Sequence, residues 1–252
     1  MKGIILAGGK ATRLRPLTLV TNKHLLPIYN KPMIFYPLES IARAGVTEVL
    51  LVTGPDHSGS FINLIRSGKE FGLKVSYAIQ EEAKGLSDAL FLAEDFADND
   101  KILVILGDNI FKHSLKNAVV EFERQDRGAK VFAKRMPIEV AQQYGVVELD
   151  EKGAVRSIVE KPKEPKSDLV QTGIYMYDQQ CFEFIRQLSP SARGELEITD
   201  LNTIYVQQGT MTCETMDSWW VDAGTSFDEL LRANHLVAEE IKKNGHPETT
   251  EA

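Results

Sequence analysis

Near the start of the chain, residues Gly3 to Lys23 read GIILAGGKATRLRPLTLVTNK. The first five residues of this stretch are an apolar run that predicts a buried β-strand, and Gly8 and Gly9 follow at once. Because glycine has no side chain, the backbone N–H groups of such a turn stay open to an anion. Arg13 adds a guanidinium that matches phosphate oxygens, and Lys23 adds a second positive charge. The stretch predicts a phosphate site at the end of a strand; the alternative is an ordinary glycine turn with solvated basic residues.

Three further apolar runs follow in the first half of the chain, with helical patterns between them. This alternation predicts βαβ units and a three-layer α/β domain, and the continuous apolar runs are typical of strands covered on both faces. The stretch matches neither the GxGxxG dinucleotide pattern nor the GxxxxGK[ST] phosphate loop, which disfavours dehydrogenases and P-loop enzymes. Strands are predicted at Gly3–Ala7, Glu48–Thr53, Lys74–Ile79 and Lys101–Leu106, and helices at Pro32–Ala44, Gly59–Ser67 and Leu86–Phe96.

Two acidic residues are candidates for a metal site. In sheets of this kind ligands bind beyond the carboxyl ends of the strands, so ILGDN after the fourth strand should face the same crevice as the glycine turn. Asp108 in that segment could hold a hard divalent cation. Asp222, within the apolar run WWVDAGT, is the expected partner, because an unpaired charge there would be costly. The alternative for Asp108 is a common turn residue.

The second half of the chain is richer in strand-like pieces and turns. Glu160 and Lys161, in VEKPK, could present an acceptor for sugar hydroxyls beside a cation for phosphate; solvated charges at a strand end are the alternative. We predict one domain over residues 1–240, with a half at 1–128, a half at 129–240 and a flexible tail at 241–252. Strands are predicted at 129–134, 145–150, 154–160 and 169–178, and helices at 179–188, 196–208 and 226–243.

Composition limits the possible partners. The chain has 252 residues, 43% hydrophobic and 26% charged, which is typical of a globular protein with a large core. Its net charge of -7 disfavours an extended nucleic-acid surface, which needs a broad excess of Lys and Arg.

Cys181 and Cys213 lie far apart and lack a CxxC spacing, so we expect buried thiols. With no apolar segment long enough for a membrane and no signal-like leader, we expect no membrane contact and a place in the cytoplasm.

The motifs together resemble a known family. Matching segments are LAGGKATRLRPLT, NKHLLPI with KPMI, GDNIF, YGVVELD, VEKP, TGIY, GELEITD and WWVDAGT. In this order they resemble the sugar-1-phosphate nucleotidyltransferases, in particular their thymidylyl type, over nearly the whole chain, from Lys2 to about Ala238. The resemblance implies a Rossmann-like, GT-A-like α/β fold with a mixed, mostly parallel central sheet and an added sugar-binding β region.

The resemblance also implies the reaction. A phosphate oxygen of glucose 1-phosphate would attack the α-phosphorus of dTTP, or alternatively of UTP, with Mg²⁺ as cofactor and pyrophosphate as the second product. Such enzymes are often dimers or tetramers, and the apolar, aromatic segment KPMIFYPLESI could serve a homo-oligomer or plain core packing. A different class, a sensor that keeps the fold without turnover, is the remaining alternative. It should have lost a metal carboxylate or the loop arginine, and neither is lost here.

Site residues carry over from the resemblance position by position. Arg13, Lys23 and Asp108 would be catalytic, and Asp108 and Asp222 would bind the metal. The nucleotide would contact Leu6, Gly8, Gly9, Thr12, Arg13, Gln80, Gly85 and Asp108. The sugar phosphate would contact Tyr144, Gly145, Glu160, Lys161, Thr172, Gly173 and Trp220.

Three positions depart from the family pattern. Ala11 stands where glycine is usual, so we expect a local adjustment of the loop. His24 and Asp88 stand where the thymidylyl type commonly has glutamine. Both should lie close to the nucleotide, so they bear on the choice of base and sugar.

Overall fold

The computed structural model describes residues 1–9 and 11–244. The predicted flexible tail at 241–252 begins inside the last helix, which continues to residue 244, and the rest of it lies outside the described residues. No helix in the described ranges is long and apolar enough to cross a membrane.

Strands and helices alternate along the chain. The strands are β1 Lys2–Ala7, β2 Pro27–Ile28, β3 Lys31–Pro32, β4 Glu48–Thr53, β5 Lys74–Ile79, β6 Ile102–Leu106, β7 Asn109–Phe111, β8 Ala129–Arg135, β9 Gly145–Leu149, β10 Val155–Glu160, β11 Leu169–Tyr177, β12 Met211–Thr215 and β13 Trp220–Asp222. The helices are α1 Phe35–Arg43, α2 Ser58–Ile65, α3 Leu86–Phe91, α4 Glu94–Ala97, α5 Lys116–Arg124, α6 Ile138–Ala141, α7 Gln180–Ile185, α8 Ile198–Gln207 and α9 Phe227–Asn244. Short 3₁₀ turns occupy Thr12–Leu14, Leu17–Leu19, Lys23–Leu25, Pro55–His57 and Lys69–Phe71.

A nine-stranded mixed sheet runs through both halves of the chain. Its order is β10-β9-β11-β6-β1-β4-β5, and β8 pairs with β11 and carries β12. The strands β6, β1, β4 and β5 are parallel, while β11 joins β6 in the antiparallel sense. The mixed α/β architecture predicted from the sequence is therefore confirmed. The parallel strands all end on one edge, which is where the predicted crevice should lie.

The sheet is buried on both faces. Ile5 of β1 lies in a core cluster with side chains of α1, α2 and α5, whereas its neighbour Ile4 lies in a second cluster with α3, α7 and α8. Successive side chains of a strand point to opposite faces, so a continuous apolar run fills both clusters. A third, smaller core joins α9 to β13 and β7. The prediction of a three-layer domain is confirmed.

Several element predictions were wrong or incomplete. The predicted helix 86–96 is two helices, because the Ala93 N–H donates to the Leu90 carbonyl, one residue short of the α-helical spacing. Helix α1 begins three residues later than predicted, since the Lys31–Pro32 segment pairs with Pro27–Ile28. Helix α5 and the strands β7, β12 and β13 were not predicted. These strands have three to five residues, too few for a periodic signal.

Candidate active site

A cleft of about 880 Å³ opens at the carboxyl ends of β1, β5 and β6. Every residue that the sequence analysis assigned to the site lines it. From the nucleotide set these are Leu6, Gly8, Gly9, Thr12, Arg13, Lys23, Gln80, Gly85 and Asp108. From the sugar and metal sets they are Tyr144, Gly145, Glu160, Lys161, Thr172, Gly173, Trp220 and Asp222. Residues from four distant parts of the chain thus share one concave surface.

The glycine loop at the end of β1 has a conformation that suits small residues. Gly9 has φ 93° and Ala11 has φ 46°, both in the left-handed region. The hydroxyl of Thr18 donates to the Ala11 carbonyl at 2.8 Å, which holds this backbone in place. Arg13 is exposed on the 3₁₀ turn that follows. Ala11 therefore occupies a position where an alanine costs conformational energy and a glycine would not.

Lys23 and Asp108 form an ion pair inside the cleft. The Nζ atom lies 2.5 Å from Asp108 Oδ2, and both side chains are largely buried. Gly224 makes room for them, since a Cβ at that position would lie 2.7 Å from Lys23 Nζ and closer still to the Asp108 carboxylate. The glycine of WWVDAGT is thus required by close packing.

Asp222 is held beside this pair by the backbone. Its strand β13 pairs with β7, so that Asp222 stands opposite Asn109. The Ala223 N–H donates to the Asp108 carbonyl at 2.9 Å. The site therefore places two carboxylates, the largely buried Asp108 and the half-buried Asp222, next to the ammonium of Lys23.

The pKa values of Lys23, Asp108 and Asp222 follow from their closeness and their burial. Burial opposes the charge of Lys23, but Asp108 and Asp222 together raise the pKa of its ammonium above the ordinary value. For Asp108, burial is outweighed by Lys23, which lowers the pKa of that carboxyl. For Asp222, burial and then the charge of Asp108 raise the pKa, so this second carboxylate is poorly compensated by the protein. A cation bound at the carboxylate oxygens would stabilise the ionised form of Asp222.

The two carboxylates fit a divalent cation. Mg²⁺ commonly takes one or two protein carboxylates and completes its shell with water and phosphate oxygens. Within residues 1–9 and 11–244 there is no cluster of three or more His, Cys, Asp and Glu side chains that could enclose a metal. Asp108, which is largely buried, and Asp222, whose ionised form is disfavoured by burial, are the candidate donors on the Lys23 side of the cleft.

The other end of the cleft carries a polar network. Glu160 ends β10, and its Oε2 accepts from the Thr199 hydroxyl at 2.8 Å. That hydroxyl in turn accepts from Gln171 Nε2 at 2.9 Å. Lys161 has φ 44°, and its Nζ lies 3.3 Å from Glu160 Oε1. A non-glycine residue with such a strained backbone persists only where the surrounding contacts hold it, and such residues are frequent at functional sites.

The chain is similar to known proteins over most of its length. The sequence pattern described as "Nucleotidyl transferase" matches residues 2–240. The chain belongs to the nucleotidyl transferase family. It is 45% identical over 228 residues to a glucose-1-phosphate thymidylyltransferase of Neisseria meningitidis, covering 89% of this chain and 78% of that protein. It is 43% identical over 240 residues to the protein of that name from Mycolicibacterium smegmatis, covering 94% and 82%.

Solved structures of other proteins share the fold of this nucleotidyl transferase. A Bacillus anthracis protein, assigned as a glucose-1-phosphate thymidylyltransferase and crystallised with sucrose, superposes with a TM-score of 0.89 at 46% identity, covering 94% of both chains. A UDP-glucose pyrophosphorylase in complex with UDP-glucose superposes with a TM-score of 0.83 at 25% identity, covering 95% of this chain and 98% of that one.

Asn109 is a site residue of this nucleotidyl transferase that the sequence analysis did not assign. Its Oδ1 accepts from the Gly173 N–H at 2.8 Å and from Trp220 Nε1 at 2.7 Å, and its Nδ2 donates to Asp108 Oδ1 at 3.2 Å. Gly173 has to be a glycine, since a Cβ there would lie 2.6 Å from Asn109 Nδ2. Asn109 therefore ties Asp108, at the end of β6, to β11 and β13. Its place directly after Asp108 in GDN was the available signal.

Arg193 and Glu197 were also missed. Both line the cleft, and Arg193 Nη2 lies 2.8 Å from Glu197 Oε2 and 3.9 Å from Glu160 Oε1. Glu197 belongs to the segment GELEITD, which contributed to the resemblance without a role for any single residue, and Arg193 directly precedes that segment. The arginine brings a further positive charge to the end of the cleft that holds Lys161.

Trp220 lies deeper than expected of a residue that contacts sugar. It is 2% exposed and packs edge to face against Tyr144, with ring centroids 5.5 Å apart. With its indole N–H bonded to Asn109, it supports the cleft wall from behind.

Proposed function

We propose that the protein transfers the thymidylyl group of dTTP to glucose 1-phosphate and releases pyrophosphate. An anionic oxygen of the sugar phosphate attacks the α-phosphorus, the bond from that phosphorus to the bridging oxygen breaks, and pyrophosphate leaves with the electron pair. The attacking oxygen already carries charge, so no proton has to be removed. The observation that carries this proposal is a single cleft that joins a basic glycine loop, the carboxylates of Asp108 and Asp222, and the pair of Glu160 with Lys161.

The glycine-loop end would hold the triphosphate. The backbone N–H groups of Gly8 and Gly9 are free of side-chain cover, and Arg13 reaches from the adjoining turn with a fork suited to phosphate. Arg13 would stabilise the departing pyrophosphate. Lys23 would lie near the α-phosphate, where its ammonium opposes the charge of the transition state. Leu6 and Thr12 would complete this side.

The metal side would be formed by Asp108 and Asp222. Mg²⁺ bound there would neutralise phosphate oxygens as a Lewis acid. The ion pair with Lys23 keeps Asp108 ionised in the absence of a cation. The raised pKa of Asp222 supports a site that gains charge balance when a cation binds.

The sugar phosphate would bind at the far end. Glu160 would accept hydroxyl hydrogens of glucose, oriented by the Thr199 hydroxyl, and Lys161 would hold the phosphate. Tyr144, Gly145, Thr172 and Gly173 would shape the pocket wall, with Trp220 behind it. Holding both substrates in line in this way lowers the entropic part of the barrier.

Gln80 and Gly85 would contact the pyrimidine. UTP is the second candidate substrate, because thymine and uracil differ by one methyl group and a pocket distinguishes such a group by only about 1 to 3 kcal/mol. The similarity to a UDP-glucose pyrophosphorylase favours keeping this candidate.

The domain organisation, the oligomeric state and the cellular location of the protein are also proposals. We infer one domain over residues 1–240, supported by the sheet pairing of β11 with β6 across the two halves. A homo-oligomer, dimer or tetramer, in the cytoplasm is the expected working form.

Pyrophosphate release tests the proposal. Purified protein with Mg²⁺ and glucose 1-phosphate is assayed with dTTP, UTP, dCTP, ATP and GTP, and Asp108→Ala serves as the inactive control. Release with dTTP that is lost in the control supports the transfer. Tight nucleotide binding without release at any Mg²⁺ concentration would overturn it in favour of a sensor that has lost turnover.

A further inference from the structure

Gln80 is held in one orientation by two acceptors. Its Nε2 lies 2.7 Å from Asp88 Oδ2 and 3.2 Å from the Gly85 carbonyl oxygen. An amide NH₂ group has two hydrogens, and each of these acceptors takes one. If the amide were turned by 180°, its oxygen would face a carboxylate and a carbonyl with no hydrogen between them. The carboxylate of Asp88 therefore fixes which atom of Gln80 remains for a ligand.

The remaining atom is Oε1, and it points toward the glycine loop. A Cβ built on Gly8 would lie 3.2 Å from this oxygen, so Oε1 sits against the open backbone at the end of β1. Gln80 lines the cleft and is 8% exposed. In that direction the side chain can only accept a hydrogen bond.

The surroundings of this amide are rigid. The Gln80 N–H donates to the Thr53 carbonyl at 2.8 Å, which continues the pairing of β5 with β4. The Gly85 carbonyl also accepts from the Ala89 N–H at 3.2 Å. Residues on either side of Gly85 are bound to Leu196, through its N–H to the Lys84 carbonyl and its carbonyl to the Ser87 N–H. The acceptors that orient Gln80 are thus fixed before any ligand arrives.

Pyrimidine bases differ in the group that they present to a hydrogen-bond acceptor at ring position 3. Thymine and uracil carry an N–H at ring position 3, whereas cytosine carries a lone pair there. An acceptor-only Gln80 can bond the N–H of the first two and is opposed by the lone pair of the third. A site built to bond an N–H discriminates strongly against an analogue that lacks it, because its own polar atom is left unpaired.

We propose that Asp88 is a specificity-determining positioning residue, which fixes Gln80 as an acceptor and so selects thymine or uracil nucleotides over cytosine nucleotides. This inference rests on the proposed function, since it deepens the role of the same nucleotide site. It gives a physical reason for Asp88 at a position where the thymidylyl type commonly has glutamine. A glutamine can present either end of its amide to Gln80, whereas a carboxylate presents acceptors only.

Equilibrium binding of dTTP and dCTP, each with Mg²⁺ and without sugar phosphate, tests this by calorimetry. The variants are Asp88→Asn, which keeps the shape but can offer a donor, and Asp88→Ala. Glu81→Gln is the matched control, because it removes the same charge from an exposed residue between Gln80 and α3. We expect the ratio of dTTP to dCTP affinity to fall by roughly tenfold in both Asp88 variants and to stay unchanged in the control.

The ratio of dTTP to dCTP affinity separates a role of Asp88 in positioning Gln80 from a general structural effect of its replacement. Equal weakening of both nucleotides, or an unchanged ratio in folded Asp88→Asn, would overturn the inference. If Asp88→Ala does not fold, the near-isosteric Asn variant carries the test. Wild-type protein that binds neither nucleotide overturns it as well. Wild-type protein that shows the predicted binding ratios but releases no pyrophosphate with glucose 1-phosphate supports the role of Asp88 and contradicts the proposed transfer alone.

Discussion

Lys23 and Asp108 form a largely buried ion pair with Nζ and Oδ2 2.5 Å apart, and Asp222 lies beside them with a pKa raised by burial and by the charge of Asp108. The folded protein thus holds a carboxylate whose ionised form is unfavourable at the point where its two proposed substrates meet. Such a charge lowers the stability of the free protein and raises its affinity for a cation. Function and stability are opposed at this site.

Replacing Asp222 by Asn is expected to stabilise the metal-free protein and to inactivate it. Burial and Asp108 raise the pKa of Asp222, so the folded state resists its ionisation, and this cost is fully present above the raised pKa. The amide keeps the oxygen that accepts from the Gly224 N–H at 3.2 Å. In EDTA at pH 8 the free energy of unfolding should rise by about 1 to 2 kcal/mol, while Mg²⁺-dependent activity falls on the order of a hundredfold.

Urea denaturation in EDTA measures the stability change for this variant. Asp217→Asn is the control, since Asp217 is an exposed acid in the same segment and should change neither quantity. A loss of stability in the Asp222 variant would contradict the unfavourable ionisation of Asp222.

His24 should make the stability of the protein depend on pH. Burial, followed by the charge of Lys23, lowers the pKa of His24 to about 3. The unfolded chain therefore binds a proton near pH 6.5 that the folded chain refuses, and stability falls as the pH drops below that value. Between pH 7 and pH 5 this group should remove about 2 kcal/mol from the free energy of unfolding.

Denaturation of His24→Gln at pH 7 and pH 5 tests how the free energy of unfolding depends on pH. The variant should lose clearly less stability over this range than the wild type, whatever its stability at pH 7. The control is His235→Gln, which changes an exposed histidine. Equal slopes for wild type and His24→Gln would show that the imidazole titrates normally.

Thr199→Val should impair sugar-phosphate binding and leave nucleotide binding intact. The hydroxyl of Thr199 donates to Glu160 and accepts from Gln171, and valine has the same shape without either bond. Loss of a hydrogen bond to a charged group should raise KM for glucose 1-phosphate by about tenfold. Steady-state kinetics with each substrate varied in turn measures this.

Thr203→Val is the matched control on the same helix, where the hydroxyl bonds only the backbone carbonyl of Thr199. A parallel rise of both KM values in Thr199→Val would indicate general damage and refute a specific role in orienting Glu160.

Position 11 should prefer glycine to any residue with a branched side chain. Ala11 has φ 46° and ψ 40°, a left-handed conformation that costs roughly 1 kcal/mol for a residue with a Cβ. Ala11→Gly removes this cost but adds freedom to the unfolded chain, so stability should change by about 1 kcal/mol or less. Ala11→Val should lose more and should raise KM for the nucleotide. Thermal unfolding and kinetics of the pair check both effects, and equal behaviour of the two variants would refute the left-handed requirement.

Much of the architecture could be predicted from local patterns. The strands β1, β4 and β6 are nearly continuous apolar runs, and such a run can be stable only when both faces of its sheet are covered. The edge strand β5, with the sequence KVSYAI, mixes polar and apolar residues and is only partly buried. The short strands β7 and β13 could not be predicted in this way. They are held by packing against α9 and by pairing with each other, although β7 and β13 lie far apart in the sequence.

The residue types along the chain already show which kinds of chemistry are available: open backbone in the glycine loop, cations at Arg13 and Lys23, and acids at Asp108, Asp222 and Glu160. How these groups share charge and hydrogen bonds follows from the folded structure alone. The pairing of Lys23 with Asp108 and the orientation that Asp88 imposes on Gln80 depend on distances of about 3 Å, and the raised pKa of Asp222 depends on its burial and on the charge of Asp108. Electrostatic and hydrogen-bond energies change steeply over such distances in a buried site, and residue types along a chain carry no information about them.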